Sequence, residues 1–218
     1  MDEGTPAVPL PAPPGDLSEP NIVTLAVGAV VHRVHDLRLA GNEFNPCQGG
    51  PTRFAPIRDR HGACVPSLYA GSTVESAVYE TLFHDIPASA RRKTVPMTAI
   101  RGKRHSALVA RRAIKLASLR APDLKKWRII REALVGSLPT QYIRTRMWAK
   151  AIHDSYQGVE GLIWTSNQCD PDDSLLFFGD RVVPSDLEIA SVREGRFDPS
   201  FWSDVRDAGL RGGISITF

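Results

Sequence analysis

The apolar residues of this sequence occur in short runs, and none approaches the ~20 residues that a bilayer-spanning helix requires. The longest run, residues 22–33, is rich in β-branched residues and predicts a buried strand. Composition and flanking turn residues predict further strands at 67–71, 94–100, 106–110, 113–119, 161–166, 174–178 and 186–192. The chain is therefore expected to contain several short strands.

Helical periodicity is confined to three segments, 73–84, 123–135 and 141–156. Ser72 followed by Glu75 is a capping-box signal for the first of these helices. Several strands interrupted by a few helices indicate an α+β fold with mixed or antiparallel sheets. We expect a Pro-rich arm over residues 1–20, which hold six prolines, followed by one domain over residues 21–218.

The three cysteines, Cys47, Cys64 and Cys169, are far apart and form no CxxC pair. Their odd number and wide spacing disfavour both a disulfide framework and a structural zinc site. The acidic and Pro-rich start of the sequence is unlike a secretory signal. A reducing, cytoplasmic location is expected.

Charge is unevenly distributed along the chain. Residues 91–131 hold fourteen Lys and Arg against one acidic residue, Asp123, whereas the remainder has thirteen basic and twenty-three acidic residues. Three interpretations are open: a surface for an acidic protein partner, a phosphate-binding surface for nucleic acid, and a solvated face. Trp127 is the one aromatic residue of the segment, so a stacking platform for single strands is not expected.

The usual signatures of dinucleotide folds, P-loops, zinc proteases and serine hydrolases are absent from the sequence. The long loop over residues 35–66 has the length of a functional loop. On the first helix, an apolar stripe is formed by Val74, Ala77, Val78 and Leu82. Glu80 lies on the other side from the centre of this stripe, so it faces either water or a cleft. The candidate site residues are Arg33, Arg53, Tyr69, Glu80 and Ser166.

Two stretches resemble the RES domain, the toxin component of a family of bacterial toxin–antitoxin pairs. They are RFAPIRDRHGACVPSLYAGSTVESAVYETLFHD and GLIWTSNQCDPDDSLLFFGDR. The family is named for its Arg, Glu and Ser, and the matching positions here are Arg33 or Arg53, Glu80 and Ser166, with Tyr69 as the accompanying aromatic. The spacing from Tyr69 to Glu80 is the most specific part of the resemblance.

The resemblance implies a fold like that of ADP-ribosylating toxins, with NAD bound as substrate in a central cleft and cleaved between nicotinamide and ribose. ADP-ribose then passes to a protein, phosphate or water. Glu80, Arg33 and Tyr69 would be catalytic, and Arg33, Arg53, Tyr69 and Ser166 would bind NAD; no metal is expected. The implied partner is an antitoxin that is acidic at the contact, and a protein substrate is a further implied partner. No membrane association is implied, and nucleic acid would be reached only through the antitoxin.

Chemistry supports the same residue types. The arginine guanidinium is suited to a pyrophosphate, and a fixed carboxylate stabilises the sugar cation formed when a glycosidic bond breaks. Two other functions remain open. One is a basic nucleic-acid-binding protein or RNase-type toxin. The other is a non-catalytic interaction protein in which residues 1–20 and 201–218 are docking elements.

Overall fold

The computed structural model describes residues 9–217, so residues 1–8 of the predicted arm lie outside the described part. The strands are β1 (Ile22–Leu25), β2 (Val30–Asp36), β3 (Ile57–Arg58), β4 (Cys64–Val65), β5 (Ser67–Gly71), β6 (Thr94–Pro96), β7 (Lys103–Ala110), β8 (Ile114–Ser118), β9 (Gly161–Thr165), β10 (Asp173–Phe178), β11 (Leu187–Glu194) and β12 (Ser215–Thr217). The helices are α1 (Val74–Thr81), α2 (Met97–Arg101), α3 (Ala121–Leu124), α4 (Arg131–Leu134), α5 (Tyr142–Ser155) and α6 (Pro199–Gly212).

One eight-stranded sheet organises the molecule, in the order β1-β8-β9-β10-β5-β2-β7-β11. Neighbouring strands within this sheet are antiparallel, except for the parallel pair β8 and β9. Two small sheets, β12 with β6 and β3 with β4, complete the architecture. The mixed α+β fold expected from the sequence is confirmed.

Both faces of the sheet are covered. On one face Trp164 and Phe178 pack with Trp148 of α5, and beside them α1 and α6 form a cluster around Val78 and Phe201. Ile163, the neighbour of Trp164 on β9, belongs to the cluster on the other face. This alternation is the period of two that a strand imposes.

Three predicted elements differ in the structure. The expected strand at 22–33 is two strands, because Gly28 adopts a positive φ of 81° in the turn between β1 and β2. The expected strand at 94–100 stops at Pro96, and α2 begins at Met97. The expected helix at 123–135 is broken at Arg128, whose φ of 58° ends the helical turn after α3.

The first helix also begins differently. Thr73, not Ser72, is its N-cap and accepts from the backbone N–H of Ser76. The apolar stripe of this helix is confirmed, with Ala77 and Val78 buried. The C-terminal α6 was not expected. Asp198 caps it, Pro199 is its first residue, and Gly213 ends it with a φ of 65°.

The described part of the arm packs against the domain. Leu10 and Leu17 are buried in the same cluster as Trp148. The carbonyl of Pro11 accepts from the Trp148 indole N–H at 2.8 Å. Apolar contacts and backbone carbonyls together hold this segment against α5 and its neighbours.

The basic segment 91–131 spans several elements and is partly neutralised. Arg104 pairs with Glu194, Arg112 with Glu160 and Asp186, Arg111 with Glu188 and Arg120 with Asp173. These acids come from the acidic remainder of the chain. Four of the arginines therefore stabilise contacts within the domain.

Within residues 9–217, no helix is both long and apolar enough to cross a membrane.

Candidate functional site

A cleft opens where β2 and β5 separate. Among the described residues these antiparallel strands share one pair, His32 with Gly71, whereas β2 pairs with β7 over seven residues. Both strands, α1 and the loop 45–56 line the gap. Its volume of about 650 Å³ is in the usual range for small-molecule sites. Four of the predicted residues line it: Arg33, Arg53, Tyr69 and Glu80.

Glu80 reaches the cleft from the face of α1 opposite the buried Val78, and Ala77, one turn before Glu80, lines the cleft with it. Its Oε1 accepts hydrogen bonds from the hydroxyls of Ser166, at 2.6 Å, and Ser174, at 3.1 Å. In the part of the chain that the structure describes, neither these serines nor any other group donates to Oε2. One carboxylate oxygen is thus fixed by protein and the other is available to a ligand.

Ser166 does not line the cleft. It is fully buried at the end of β9, and its Oγ accepts from the backbone N–H groups of Gln168, at 3.1 Å, and Cys169, at 3.0 Å. Two donors orient the hydroxyl, so its own hydrogen points to Glu80. The geometry makes Ser166 a support for the carboxylate.

Arg33 lies on β2 beside the point where the strands separate. Its Nη1 donates to the carbonyls of Gly41, at 2.8 Å, and Glu43, at 2.7 Å. Burial lowers the pKa of Arg33 to about 10, and the Glu43 charge opposes this shift. The guanidinium therefore keeps its positive charge at neutral pH while bracing the loop after β2.

Arg53 lies in the loop that crosses the cleft. Its side chain is buried, with Cζ 5.6 Å from the centre of the Tyr142 ring. Its Nε is buried without a hydrogen-bond partner among the described residues. A buried donor of this kind is costly unless a ligand satisfies it. A phosphate or carboxylate oxygen is the kind of acceptor that this N–H lacks.

Tyr69 lies on β5 and meets Trp164 edge to face, with ring centres 6.2 Å apart. Its hydroxyl accepts from the backbone N–H of Phe54 at 3.0 Å and lies 2.9 Å from Thr52 Oγ1. Burial raises the pKa of Tyr69 to about 12, so the phenol is neutral.

Three histidines flank Arg33 as neutral groups. His35 Nδ1 donates to the Asp36 carbonyl at 3.0 Å, and burial, assisted by the Arg33 charge, lowers the pKa of His35 to about 4. His105 Nδ1 accepts from Arg193 Nε at 3.1 Å, so its Nε2–H is the donor to His32 Nδ1 at 3.0 Å. Burial lowers the pKa of His105 to about 3. These three histidines therefore add no positive charge beside β2.

Sequence reasoning missed Ser174, Tyr142 and Thr145. Ser174 comes from a strand that the sequence predicts, but nothing in its spacing links it to Glu80. Tyr142 and Thr145 are three residues apart on α5, which puts both on one helix face. Thr145 donates to the Arg53 carbonyl. That shared face was the available signal, yet only the fold shows that it meets the Arg53 loop.

The expectation of no disulfide is wrong for one pair. Cys47 and Cys64 are bonded, with Cα atoms 6.1 Å apart, and Cys47 lines the cleft. The loop between them folds back through the β3 and β4 hairpin, a contact that spacing alone does not reveal. The cysteine pattern therefore gives no support for a reducing compartment.

Glu75, Cys169 and Asp172 form a cluster with a metal-like arrangement, their ligand atoms within 4.8 Å of one another. Protein groups already occupy it: Arg211 pairs with Glu75 at 2.9 Å and Thr73 donates to Asp172 at 2.5 Å. Burial raises the pKa of the Cys169 thiol to about 12, which disfavours a metal-binding thiolate.

Comparisons with known proteins identify the fold and the family of the chain. The fold is similar to that of a chain in the crystal structure of the M. tuberculosis MbcT–MbcA toxin–antitoxin complex, with a TM-score of 0.62 and 11% sequence identity over 84% of this chain and 92% of that chain. No curated protein matches the sequence. The model of the RES domain matches residues 30–200, which include all five predicted site residues. The chain therefore belongs to the RES domain family.

Proposed function

We propose that this protein is the toxin of a toxin–antitoxin pair and cleaves the bond between nicotinamide and ribose in NAD, passing ADP-ribose to a protein, phosphate or water. The observation that carries the proposal is the arrangement of Glu80. Its Oε1 is fixed by Ser166 and Ser174, and the residue lines a cleft that two arginines line as well. The family match and the similar toxin–antitoxin structure support the same function.

The two arginines suit the pyrophosphate of NAD. The Arg53 guanidinium has a buried N–H without an acceptor, and Arg33, on β2, is a second cation that lines the cleft. Charge-assisted hydrogen bonds from such forks are strong and geometrically specific. In this binding mode the phosphates neutralise both cations, and the Tyr69 ring positions the nicotinamide end.

Bond cleavage requires a group that stabilises a sugar cation. The bond from ribose C1′ to the pyridinium nitrogen breaks, its electron pair goes to nitrogen, and neutral nicotinamide leaves. The ribose then carries positive charge, which the Glu80 carboxylate stabilises while Oε2 accepts from a ribose hydroxyl. A nucleophilic atom of the acceptor bonds to C1′ and loses its proton. We assign Ser166 to holding Glu80 rather than to binding NAD.

An NAD-consuming enzyme needs a restraint. We propose an antitoxin protein, acidic at the contact, that closes the cleft, and a cytoplasmic site of action where NAD is available. A partner that binds the folded toxin also stabilises it by mass action.

The proposal is tested by incubating the purified protein with NAD and measuring nicotinamide release. Glu80→Ala is expected to lower the rate at least ~100-fold, the scale of losing one transition-state stabiliser. Glu75→Ala is the matched control, because Glu75 lies on the same helix and pairs with Arg211 outside the cleft. Equal rates for the wild type and Glu80→Ala, or no nicotinamide release by the wild type, would refute the proposed function.

A further inference from the structure

The position of Arg53 depends on contacts made by its neighbours. Arg53 belongs to no strand or helix, so no ladder of backbone hydrogen bonds fixes it. Its guanidinium lies over the Tyr142 ring, a contact that does not set direction by hydrogen bonding. Apart from the turn bond from the Thr52 N–H to the Ala55 carbonyl at 2.7 Å, side-chain contacts have to hold the backbone at residues 52–54 so that Arg53 lines the cleft.

The Tyr69 hydroxyl joins the two residues that flank Arg53. It accepts from the backbone N–H of Phe54 at 3.0 Å and lies 2.9 Å from Thr52 Oγ1. Thr52 Oγ1 also lies 2.9 Å from the Ala55 carbonyl, which only accepts, so the single hydroxyl hydrogen of Thr52 is used there. Tyr69 must therefore donate its own hydrogen to Thr52.

A third hydroxyl fixes Arg53 itself. Thr145 is fully buried on α5, and its hydroxyl lies near two carbonyls, that of Arg53 and, at 3.2 Å, that of Tyr142, with Arg53 the nearer acceptor. Three consecutive residues of the loop are thus held by side chains from two separate elements, β5 and α5. The Tyr69 hydroxyl hydrogen is already donated to Thr52 Oγ1. A ligand could accept this hydrogen only by displacing Thr52.

We infer that the Tyr69 hydroxyl and Thr145 are positioning residues that act on the dinucleotide through Arg53. The inference rests on the proposed function and separates two parts of one side chain: the ring of Tyr69 faces the ligand, and its hydroxyl holds the loop that supplies the cation.

A double-mutant cycle tests this inference with kcat/KM for NAD, measured from initial rates at low NAD. Tyr69→Phe keeps the ring and is expected to lower kcat/KM about 5- to 10-fold through KM, the scale of one or two lost hydrogen bonds. In an Arg53→Ala background, Tyr69→Phe is expected to alter kcat/KM less than ~2-fold, because the guanidinium that the Tyr69 hydroxyl positions is no longer present. The same factor in both backgrounds would overturn the inference. Thr145→Val is expected to behave as Tyr69→Phe does.

A ligand-free measurement separates this inference from the proposed function. Hydrogen exchange of a peptide covering residues 50–56 is expected to accelerate in Tyr69→Phe and Thr145→Val. Tyr79→Phe is the matched control: it also removes a buried phenol hydrogen bond, to the Ala208 carbonyl at 3.0 Å, but lies outside the cleft. Unchanged exchange in Tyr69→Phe overturns the inference even if the wild type cleaves NAD. Absence of NAD cleavage by the wild type refutes the proposed function and leaves exchange to decide the inference.

Discussion

At the scale of residues, the cleft combines one fixed carboxylate with two cations that the fold holds in different ways. Glu80 is supported by serine hydroxyls, Arg33 by carbonyls, and Arg53 by its neighbours while its Nε stays unsatisfied. The supporting groups are neutral, including His35, whose pKa burial lowers to about 4. Besides Glu80 and the two arginines, Asp36, Asp85 and Lys103 bring charge to the lining of the cleft.

Ser166→Ala separates support of Glu80 from direct ligand binding. Because the hydroxyl donates to Oε1 at 2.6 Å from a fully buried position, its loss should misplace the carboxylate and lower kcat roughly 10-fold, the scale of a hydrogen bond to a charged group. KM for NAD should change little. Steady-state kinetics with NAD provides both values, and Ser166→Thr, which keeps a hydroxyl, should recover part of kcat. An increase in KM at constant kcat would instead indicate that Ser166 binds NAD directly.

At the scale of elements, what the sequence predicts well is local. The stripe on α1, the extent of α5 and the strands 67–71 and 174–178 follow from periodicity, and the opposite face of α1 is where Glu80 points to the cleft. The separation of β2 from β5 could not be predicted, because strand pairing depends on register between distant segments. Ser174 was missed for the same reason: its contact with Glu80 crosses 94 residues of sequence.

The loop between β2 and β5 should owe part of its order to its disulfide. The bond between Cys47 and Cys64 has a sequence separation of 17, and closing a loop of this size removes conformational entropy from the unfolded chain, worth about 3 kcal/mol in the chain-entropy model. Cys47→Ser with Cys64→Ser should lower the free energy of unfolding by about 2–3 kcal/mol, measured by urea denaturation. A reducing agent should destabilise the wild type by a similar amount and leave the double variant unchanged. Equal stability of oxidised and reduced wild type would contradict this account.

At the scale of the whole molecule, the cleft is assembled from parts that are distant in sequence and joined by one core. The cluster around Trp148 contains Phe54 from the cleft loop, Trp164 from β9 and Leu17 from the arm. Helix α5 contributes Trp148 to this core and Tyr142 to the cleft. The described part of the arm is therefore continuous with the packing that supports the site.

Leu17→Ala tests whether the arm is a structural part of the domain. Leu17 is 7% exposed, and removing a buried leucine side chain costs about 2–5 kcal/mol, which corresponds to a fall in Tm of roughly 5–15 °C for a chain of this size. Leu210→Ala is the matched control, because Leu210 is 73% exposed on α6 and should change Tm by less than ~2 °C. Differential scanning calorimetry measures both values of Tm.

Since neither Leu17 nor any other residue of the described arm lines the cleft, NAD cleavage at 25 °C should stay within about twofold of the wild type while the variant is folded. A Leu17→Ala protein with wild-type Tm would show that the arm rests on the domain without stabilising it, and loss of activity in a folded variant would show that the arm also shapes the cleft through α5.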